Sequence, residues 1–322
     1  MALDNWSNTM KTPLKSRLMA GAAAASMLTL SACAQEAEAG SSSEPTISVE
    51  HAQGTTEVPS NPETVYTFDL GVLDTLDVLA VPVAGVPQAG LPESLSQYGA
   101  DDVANIGTLQ EPDFEAISAG NPDLIIISGR TADYYDEFSD IAPTIDLSVA
   151  AAEPMPSFRE VTTTLGTIFG KEDAAEEKLA ALDSRVEETR AAAVDAGTGL
   201  IVMTSGGEMT AYGTGSRFGL IHDVLGVPTA ADIVADGRHG ESISFEFIAE
   251  KDPDHLFIID RDVAIGEAGE AASAVLDNDL VNGTKAAKNG KITMLDPTSW
   301  YIVGYGLNNV DAMVSAVQDA TA

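Results

Sequence analysis

The order of apolar and polar positions predicts an α/β protein built in two similar halves. Before residue 157, apolar runs such as ETVYTF and PDLIIIS alternate with segments of helical spacing such as DLGVLDTLDVLA. The alternation returns after residue 196, where GLIVMTS, HLFIID and KITMLD predict strands and SFEFIAEKD predicts a helix. Strands that alternate with short helices are typical of a mainly parallel sheet. The segment TISVEHAQGTTEVP, which alternates and turns at Gly54, predicts an additional β-hairpin.

One unit of this pattern occurs twice. FEAISAGNPDLIIISGR runs from Phe114 to Arg130, and FEFIAEKDPDHLFIIDR runs from Phe245 to Arg261, so the two align without a gap. Each predicts a helix, a Pro-Asp turn and an apolar strand that ends at an arginine. Ligands of open α/β sheets bind at the carboxyl ends of strands, so two such lobes would place one arginine on each wall of a cleft. Chance similarity is the alternative.

The residues between the two halves have no strand signal. Residues 157–196 repeat their apolar positions at spacings of three and four and contain no proline, so we expect either a helical spine between the lobes or two packed helices. We take the spine as the prediction. The domains are then an N-terminal lobe over 46–156, a connecting helix over 157–196 and a C-terminal lobe over 197–322.

The first residues have the pattern of a targeting segment. Three basic residues precede the short apolar run Leu18–Leu30, which ends in Leu-Ser-Ala-Cys at Cys33, the only cysteine. Similarity to a bacterial lipobox predicts a signal peptide over 1–32, followed by lipidation of Cys33. The alternative is an ordinary secretory signal, and Met10 is an alternative start. Residues 33–45 are rich in Ala, Gly, Ser and Glu and predict a flexible tether.

Composition excludes several kinds of partner and site. The 322 residues include 16 basic and 50 acidic side chains, a formal net charge of −34. Nucleic acid is excluded because phosphate binding needs a basic face. A single cysteine excludes disulfides and cysteine-based metal sites within the chain. The acidity suggests the further hypothesis of a surface adapted to saline surroundings.

Several motifs in order resemble one known family. TFDLGVLDTLDVL, AGVP, ISGR, GSRFGLIHDVLG, HGESISFEFI, DPDHLFIIDR and SWYIVGYG are similar to segments of substrate-binding lipoproteins of bacterial ABC importers for ferric siderophores. The similarity is strongest to the subgroup for catecholate or mixed-catecholate ligands. It implies two Rossmann-like lobes joined by a single long helix, with the ligand cleft between them. It also implies a monomeric, non-enzymatic protein without an intrinsic cofactor, which binds ferric iron as a siderophore complex and serves an ABC permease dimer.

Arginine suits such a ligand. A ferric tris-catecholate carries three negative charges, and guanidinium keeps its proton and binds pairs of oxygens. The resemblance assigns Arg130, Arg217 and Arg261 to the pocket; the alternative is surface salt bridges. Arg217 lies in GTGSRFG, where a following helix would add its N-terminal dipole. The spacing of these glycines departs from that of a dinucleotide-binding loop.

Further site residues follow from the resemblance. His239 and Tyr301 correspond to residues that enter the iron coordination sphere in some relatives; the alternative is that both only line the pocket. Trp300 joins the ligand-binding set. Ile302 and the following Val-Gly-Tyr stand where relatives often carry Ser-Gly-Gly, which puts the shape of this loop in question. Arg238 would add a fourth positive charge or face solvent. Aromatic walls are expected from Trp300, Tyr134, Tyr135, Tyr212 and Tyr305.

Glu115 and Glu246 occupy equivalent places in the repeat. In the family, one glutamate per lobe at this place docks onto arginines of the permease; favourable interaction with the helix dipole is the alternative. Other functions also stay open. The same fold could bind haem, cobalamin or a hydroxamate siderophore. A metalloenzyme is disfavoured by four histidines without metal-site spacing, and a purely structural lipoprotein would leave the arginines unexplained.

Overall fold

A computed structural model describes residues 45–234, 240–269 and 271–322. The predicted signal peptide over 1–32, Cys33 and almost all of the tether lie outside the described residues, as do Arg238 and His239. The described residues confirm the α/β fold, with two five-stranded sheets and a separate hairpin. None of the helices in these ranges is both long and apolar enough to cross a membrane.

The N-terminal lobe holds the hairpin and a fully parallel sheet. The hairpin is confirmed, with antiparallel strands β1 (Thr46–His51) and β2 (Gly54–Pro59) and a turn that needs Gly54 at φ +140°. The sheet has the order β5-β4-β3-β6-β7. Its strands are β3 (Val65–Thr67), β4 (Gly85–Val86), β5 (Ala104–Asn105), β6 (Leu124–Ile127) and β7 (Thr144–Asp146). The lobe also has the helices α1 (Leu70–Val78), α2 (Phe114–Gly120) and α3 (Tyr135–Ser139) and the 3₁₀ turns Glu93–Gly99 and Ala132–Tyr134.

The connecting segment differs from the prediction of one helix over 157–196. It forms two helices, α4 (Pro154–Ile168) and α5 (Glu172–Ala193). The chain turns between them at Gly170, whose φ of +60° ends α4 in the left-handed conformation. The helices pack closely, because a Cβ on Gly166 would lie 3.1 Å from Cβ of Ala175. Only α5 leads on into the second sheet, and its 22 residues span about 33 Å.

The C-terminal lobe has a mixed sheet of the order β10-β9-β8-β11-β12. Its strands are β8 (Gly199–Ser205), β9 (Glu208–Tyr212), β10 (Glu241–Ile243), β11 (His255–Asp260) and β12 (Ile292–Met294). β8, β11 and β12 are parallel to one another, whereas β9 runs antiparallel to both of its neighbours, β8 and β10. The helices are α6 (Phe245–Lys251), α7 (Arg261–Ala264), α8 (Ala272–Val275), α9 (Asp279–Asn282), α10 (Lys285–Lys288) and α11 (Leu307–Thr321). The predicted helix in RFGLIHDVLG is shorter than expected, a π-helical turn over Leu220–Val224.

The repeated unit forms the same structure in both lobes. α2 and α6 each have seven residues, start from the capping side chains of Asp113 and Ser244, and end in a left-handed residue. These end residues are Asn121 and Asp252, with φ of 45° and 43°. Asn and Asp tolerate this conformation better than other non-glycine residues. The strands that follow, β6 and β11, each pair with the central strand of their sheet, β3 or β8.

One hydrophobic core extends through both lobes. It contains Leu73 of α1, Phe158 of α4, Ile201 of β8 and Val314 of α11, all fully buried. Two smaller clusters cover other faces of the sheets, one in each lobe. The connecting helices and α11 therefore pack into the same interior as the two sheets, which fixes the lobes relative to one another.

Candidate ligand-binding site

A cavity of about 310 Å³ lies where the carboxyl ends of the first sheet meet a loop of the second lobe. Asp69, Ser128 and Ser148 line it, and each stands one or two residues after β3, β6 or β7. Arg130 follows Ser128 on the same wall. The opposite wall consists of Arg217 and residues 300–305. The cavity thus lies at the strand ends where open α/β sheets bind ligands.

The loop that forms the second wall has an irregular backbone. Residues Thr298–Val303 make a π-helical turn that ends at Gly304, with φ +70° and ψ −127°. Trp300 is buried in this turn, while Tyr301 is only partly buried. The backbone at position 304 has a positive φ, which glycine adopts more readily than other residues. π-helical turns often occur at functional sites.

All three arginines donate hydrogen bonds to Tyr301. The carbonyl oxygen of Tyr301 accepts from Nη2 of Arg130 at 2.8 Å and from Nη2 of Arg217 at 2.9 Å. Its hydroxyl accepts from Nε of Arg261 at 3.0 Å. Arg130 comes from the first lobe and the other two from the second. Tyr301 therefore brings the three predicted arginines together, and the predicted Trp300 precedes it in the same turn.

Arg261 has a different position from the other two arginines. Its guanidinium lies 5.7 Å from the centre of the Tyr301 ring, and its Nη1 donates to the Ser205 hydroxyl at 3.0 Å. Arg261 does not line the cavity that Arg130 and Arg217 line. The guanidinium of Arg217 stacks on the Tyr301 ring at 4.5 Å, a cation–π contact. The Tyr301 side chain thus contacts Arg261 outside this cavity.

Among the described residues, the three arginines form no direct ion pair with a carboxylate. Within the described ranges, ion pairs form elsewhere, such as Arg185 with Asp311 at 2.9 Å, but none involves Arg130, Arg217 or Arg261. Burial, and then the nearby charge of Arg130, lower the pKa of Arg217. Guanidinium still keeps its proton at neutral pH. The hydrogen bond to Tyr301, and then the charges of Glu267 and Asp262, raise the pKa of Arg261, so that arginine has carboxylates nearby. Arg130 and Arg217 donate to neutral carbonyl oxygens, and clustered cations of this kind favour an anionic ligand.

Among the described residues, one carboxylate lines the cavity, and it already accepts hydrogen bonds from other groups of the protein. Asp69 caps α1 by accepting from the Val72 N–H at 2.8 Å, and it accepts from the Ser128 hydroxyl at 2.5 Å. The positive end of the helix dipole also lies beside it. Asp69 thus contributes to the local structure and leaves the arginines as the site's dominant charge.

Of the other residues expected at the site, some line the cavity and some do not. Tyr305 lines the cavity, and burial raises its pKa. Tyr134, Tyr135 and Tyr212 are not part of its lining and contact other rings: Phe114, His51 and Phe218 respectively. The expected iron ligand His239 lies outside the described residues. Within the described ranges, no three His, Cys, Asp or Glu side chains cluster in a way that could hold a metal ion.

Glu115 and Glu246 lie in the first turns of the equivalent helices α2 and α6, and both are exposed. Hydrogen bonds from its own backbone N–H and from the Ser244 hydroxyl lower the pKa of Glu246. Neither glutamate contributes to the cavity lining. The pair is therefore available on the surface, one on each lobe.

A larger groove of about 720 Å³ runs between β1 and α4. It contains none of the predicted ligand residues, and its one arginine, Arg159, is paired with Asp183. Its remaining polar lining is mostly threonine and glutamate. This groove does not have the unpaired positive charge of the smaller cavity.

Sequence reasoning missed the polar residues at the strand ends. Asp69 follows the predicted strand ETVYTF and Ser128 ends the predicted strand PDLIIIS, so the rule on strand carboxyl ends could have found both. It also missed Asn309, whose side-chain amide binds the carbonyl oxygens of Ser299 and Gly304 at 2.9 and 2.6 Å. No local pattern marks Asn309, because it lies inside an ordinary helix.

Two α/β lobes with a cavity between them that arginines from both lobes line form the fold of solute-binding proteins. The chain belongs to the periplasmic binding protein family, whose model matches residues 65–298. It is 44% identical over 267 residues to the petrobactin-binding protein YclQ of Bacillus subtilis, covering 82% of this chain and 84% of that protein. The crystal structure of YclQ superposes with a TM-score of 0.84, covering 86% of this chain and 99% of that one.

Two further relatives carry related names. The ferric-anguibactin-binding protein FatB of Vibrio anguillarum is 33% identical over 277 residues, which cover 84% of this chain and 86% of that protein. The periplasmic catecholate-siderophore binding protein VctP of Vibrio cholerae is 33% identical in sequence, with a TM-score of 0.81, over 85% of this chain and all of that chain. The predicted family resemblance is therefore confirmed. These relatives are binding proteins, not enzymes.

Proposed function

We propose that this protein is the substrate-binding component of an ABC importer for a ferric, catechol-containing siderophore. The observation that carries the proposal is the convergence of three arginines on Tyr301 in a chain of net charge −34, with no ion pair to any of them among the described residues. The names of the relatives support iron-siderophore complexes as the ligand class. The iron is cargo within the ligand.

The chemistry of the cavity favours an anionic iron complex over the alternatives. Arg130 and Arg217 supply forked donors for catecholate oxygens, and Trp300 and Tyr305 supply aromatic surface for the rings. Haem would need an axial ligand but not this concentration of positive charge. A hydroxamate complex carries less negative charge. Both alternatives, and cobalamin, are therefore comparison ligands in the test.

The binding test is a fluorescence titration with ferric petrobactin, a ferric tris-catecholate, a ferric hydroxamate, haem and cobalamin. We expect the ferric catecholates to bind in the micromolar range or tighter. Arg130→Ala combined with Arg217→Ala should weaken that binding about 100-fold or more, because each hydrogen bond to a charged group contributes about 1.5–3 kcal/mol. Arg159→Ala, which removes an exposed paired arginine, is the matched control and should stay within about twofold. Failure of every catecholate to bind would refute the proposal.

Direct contact of the protein with iron is a further part of the proposal. Tyr301 provides a phenol, a hard oxygen donor that suits ferric iron, and His239 provides an imidazole. The absorption spectrum of the bound complex tests this in the same titration. Tyr301→Phe and His239→Ala should each change the charge-transfer band if these residues ligate iron. An unchanged band with both variants would restrict them to lining the pocket.

We further propose that Cys33 is lipidated and anchors a monomer to the outer face of the cytoplasmic membrane. The lipobox-like sequence before Cys33 supports this, and two relatives are named as lipoproteins. Glu115 and Glu246 are then the docking residues for the permease dimer. Their support is the equivalent and exposed position of each glutamate on its lobe. Metabolic labelling with a fatty acid, lost in Cys33→Ala, tests the anchor.

A further inference from the structure

Helix α11 starts without a capping side chain of its own. The residue before it is Gly306, and its first turn contains no acidic residue. The first backbone N–H groups of any helix lack partners inside the helix. Here they are bound by α1 of the first lobe. Thr75 Oγ1 accepts from Leu307 N at 3.3 Å, and Asp74 Oδ2 accepts from the backbone N of Asn308 at 2.8 Å and of Asn309 at 3.2 Å.

Two glycines make this contact between lobes possible. A Cβ on Gly306 would lie 2.5 Å from Oδ2 of Asp74, and a Cβ on Gly71 would lie 2.4 Å from the carbonyl oxygen of Tyr305. Both distances are too short for any side chain. The close approach therefore requires a glycine on each of the two contacting segments. Asp74 is buried where they meet.

Asn309 connects this contact to the ligand-binding loop. Its Nδ2 donates to the carbonyl oxygens of Ser299 and Gly304, at 2.9 and 2.6 Å, and its Oδ1 accepts from the Ser299 hydroxyl at 2.7 Å. The residues between these two anchor points include Trp300 and Tyr301. One amide therefore holds both ends of the loop, using its donor and its acceptor together.

We propose that Asp74 and Asn309 are positioning residues for ligand binding. Asp74 fixes the backbone of Asn309, and the Asn309 amide fixes the loop that presents Trp300 and Tyr301 to the cavity. We call this pair the Asp74–Asn309 relay. The inference rests on the proposed function, because it concerns how the same site is held in its binding geometry.

Electrostatics support a role in the site as well as in folding. Burial raises the pKa of Asp74 to about 6, and the neighbouring Asp77 adds to the rise against the two backbone hydrogen bonds. An ionised Asp74 at neutral pH therefore lowers the stability of the fold. Local destabilisation of this kind often accompanies residues that serve a functional site. The loop that the relay holds is the one to which all three arginines donate.

Asn309→Ala against Asn308→Ala is the sharpest test. The two asparagines are neighbours in α11. The Asn308 side chain is exposed, however, and it has no hydrogen-bond partner among the described residues. Both variants are made in the chain from residue 33 onward, in which Trp300 is the only tryptophan. Three quantities are measured: acrylamide quenching of Trp300 without ligand, the Kd for ferric petrobactin, and the unfolding midpoint.

We expect Asn309→Ala to make Trp300 more accessible to acrylamide and to weaken ferric petrobactin binding about tenfold, while the protein stays folded. Asn308→Ala should match the parent in both. Asp74→Asn keeps an acceptor oxygen and should bind within about twofold of the parent, whereas Asp74→Ala should resemble Asn309→Ala. If Asp74→Ala does not fold, the comparison of the two asparagine variants still tests whether Asn309 positions the loop.

Two results would overturn the relay. One is an Asn309→Ala protein with parental quenching and affinity, or with a lower unfolding midpoint as its only change. The other is an equal loss in Asn308→Ala. Failure of the proposed function gives a different result, in which the parent itself binds no ferric catecholate. The ligand-free quenching of Trp300 would then still show whether the relay holds the loop.

Discussion

At Asp74, the cost of burying a charge exceeds the benefit of the hydrogen bonds that the charge accepts. Its pKa rises from 3.8 to about 6 in the folded protein, so the folded state binds this proton more tightly than the unfolded state does. Between these two values, the contribution of Asp74 to stability falls as the pH rises. Above about pH 6 the full cost of the ionised form is present.

Asp74→Asn should therefore stabilise the protein at pH 7.5. We expect the free energy of unfolding to increase on the order of 1 kcal/mol, with the difference from the parent disappearing only as the pH falls to about 4, where the carboxyl group is protonated in the folded and the unfolded state alike. Urea unfolding at the two pH values measures this. Asp319→Asn, at an exposed position on α11, is the control. A loss of stability at pH 7.5 would contradict the stated sign.

Some residues of the site could be predicted from the sequence and others could not. Arg130, Arg217 and Tyr301 could be predicted, because arginine is rare in an acidic chain and the surrounding motifs resemble a family. Asp74 and Asn309 could not, since they are 235 positions apart and neither belongs to a recognisable motif. The different position of Arg261, beside the Tyr301 ring and outside the cavity lining, depends on a three-dimensional packing arrangement that no spacing encodes.

At the scale of elements, the sequence predicted the helices and strands whose ends are set by nearby residues. The repeated helix and strand units are confirmed because capping residues, a left-handed end residue and an apolar strand all lie within seventeen residues. The connecting segment was predicted as one helix because apolar spacing continues through it. Its break depends on Gly170, whose left-handed conformation the sequence permits but does not require.

The equivalent helices α2 and α6 lead to a test of permease docking. Glu115→Arg combined with Glu246→Arg should abolish iron uptake through the importer, because the charges meeting the permease would be reversed. Ligand affinity and stability should change little, since both positions are exposed. Uptake of radiolabelled ferric siderophore by cells measures transport, and titration measures binding.

Glu93→Arg combined with Glu188→Arg, which lie away from α2 and α6, is the matched control for docking. Both glutamates are exposed, and the double change alters the net charge by the same amount. Transport should continue in this control. Equal loss of uptake in both double variants would instead indicate a general effect of charge, and lost ligand binding in the first would remove the docking assignment.

The whole molecule carries a large negative charge, and the part of the chain that the structure describes has few ion pairs. Its formal net charge is −34, and the described residues contain four ion pairs, which at exposed positions contribute little. Mutual repulsion among the carboxylates therefore opposes the compact state. Salt weakens this repulsion, since the screening length falls from about 10 Å at 0.1 M to about 3 Å at 1 M.

We expect the free energy of unfolding to rise as sodium chloride increases from about 0.1 to about 1 M. Urea unfolding at several salt concentrations measures this, and sucrose at equal osmolality controls for effects of excluded solute. Stability that stays constant or falls with salt would count against a surface adapted to saline surroundings. The magnitude should be largest at neutral pH, where the carboxylates are ionised.

The shared interior changes the meaning of the sequence repeat. Phe158 and Val314 pack in the same core as side chains of both sheets, so neither lobe encloses a complete interior of its own. A chain cut between the lobes would expose apolar surface on both pieces. The repeated segments are therefore copies in local architecture only. The two halves thus depend on each other for burial of their apolar side chains, and we expect them to unfold as a single cooperative unit.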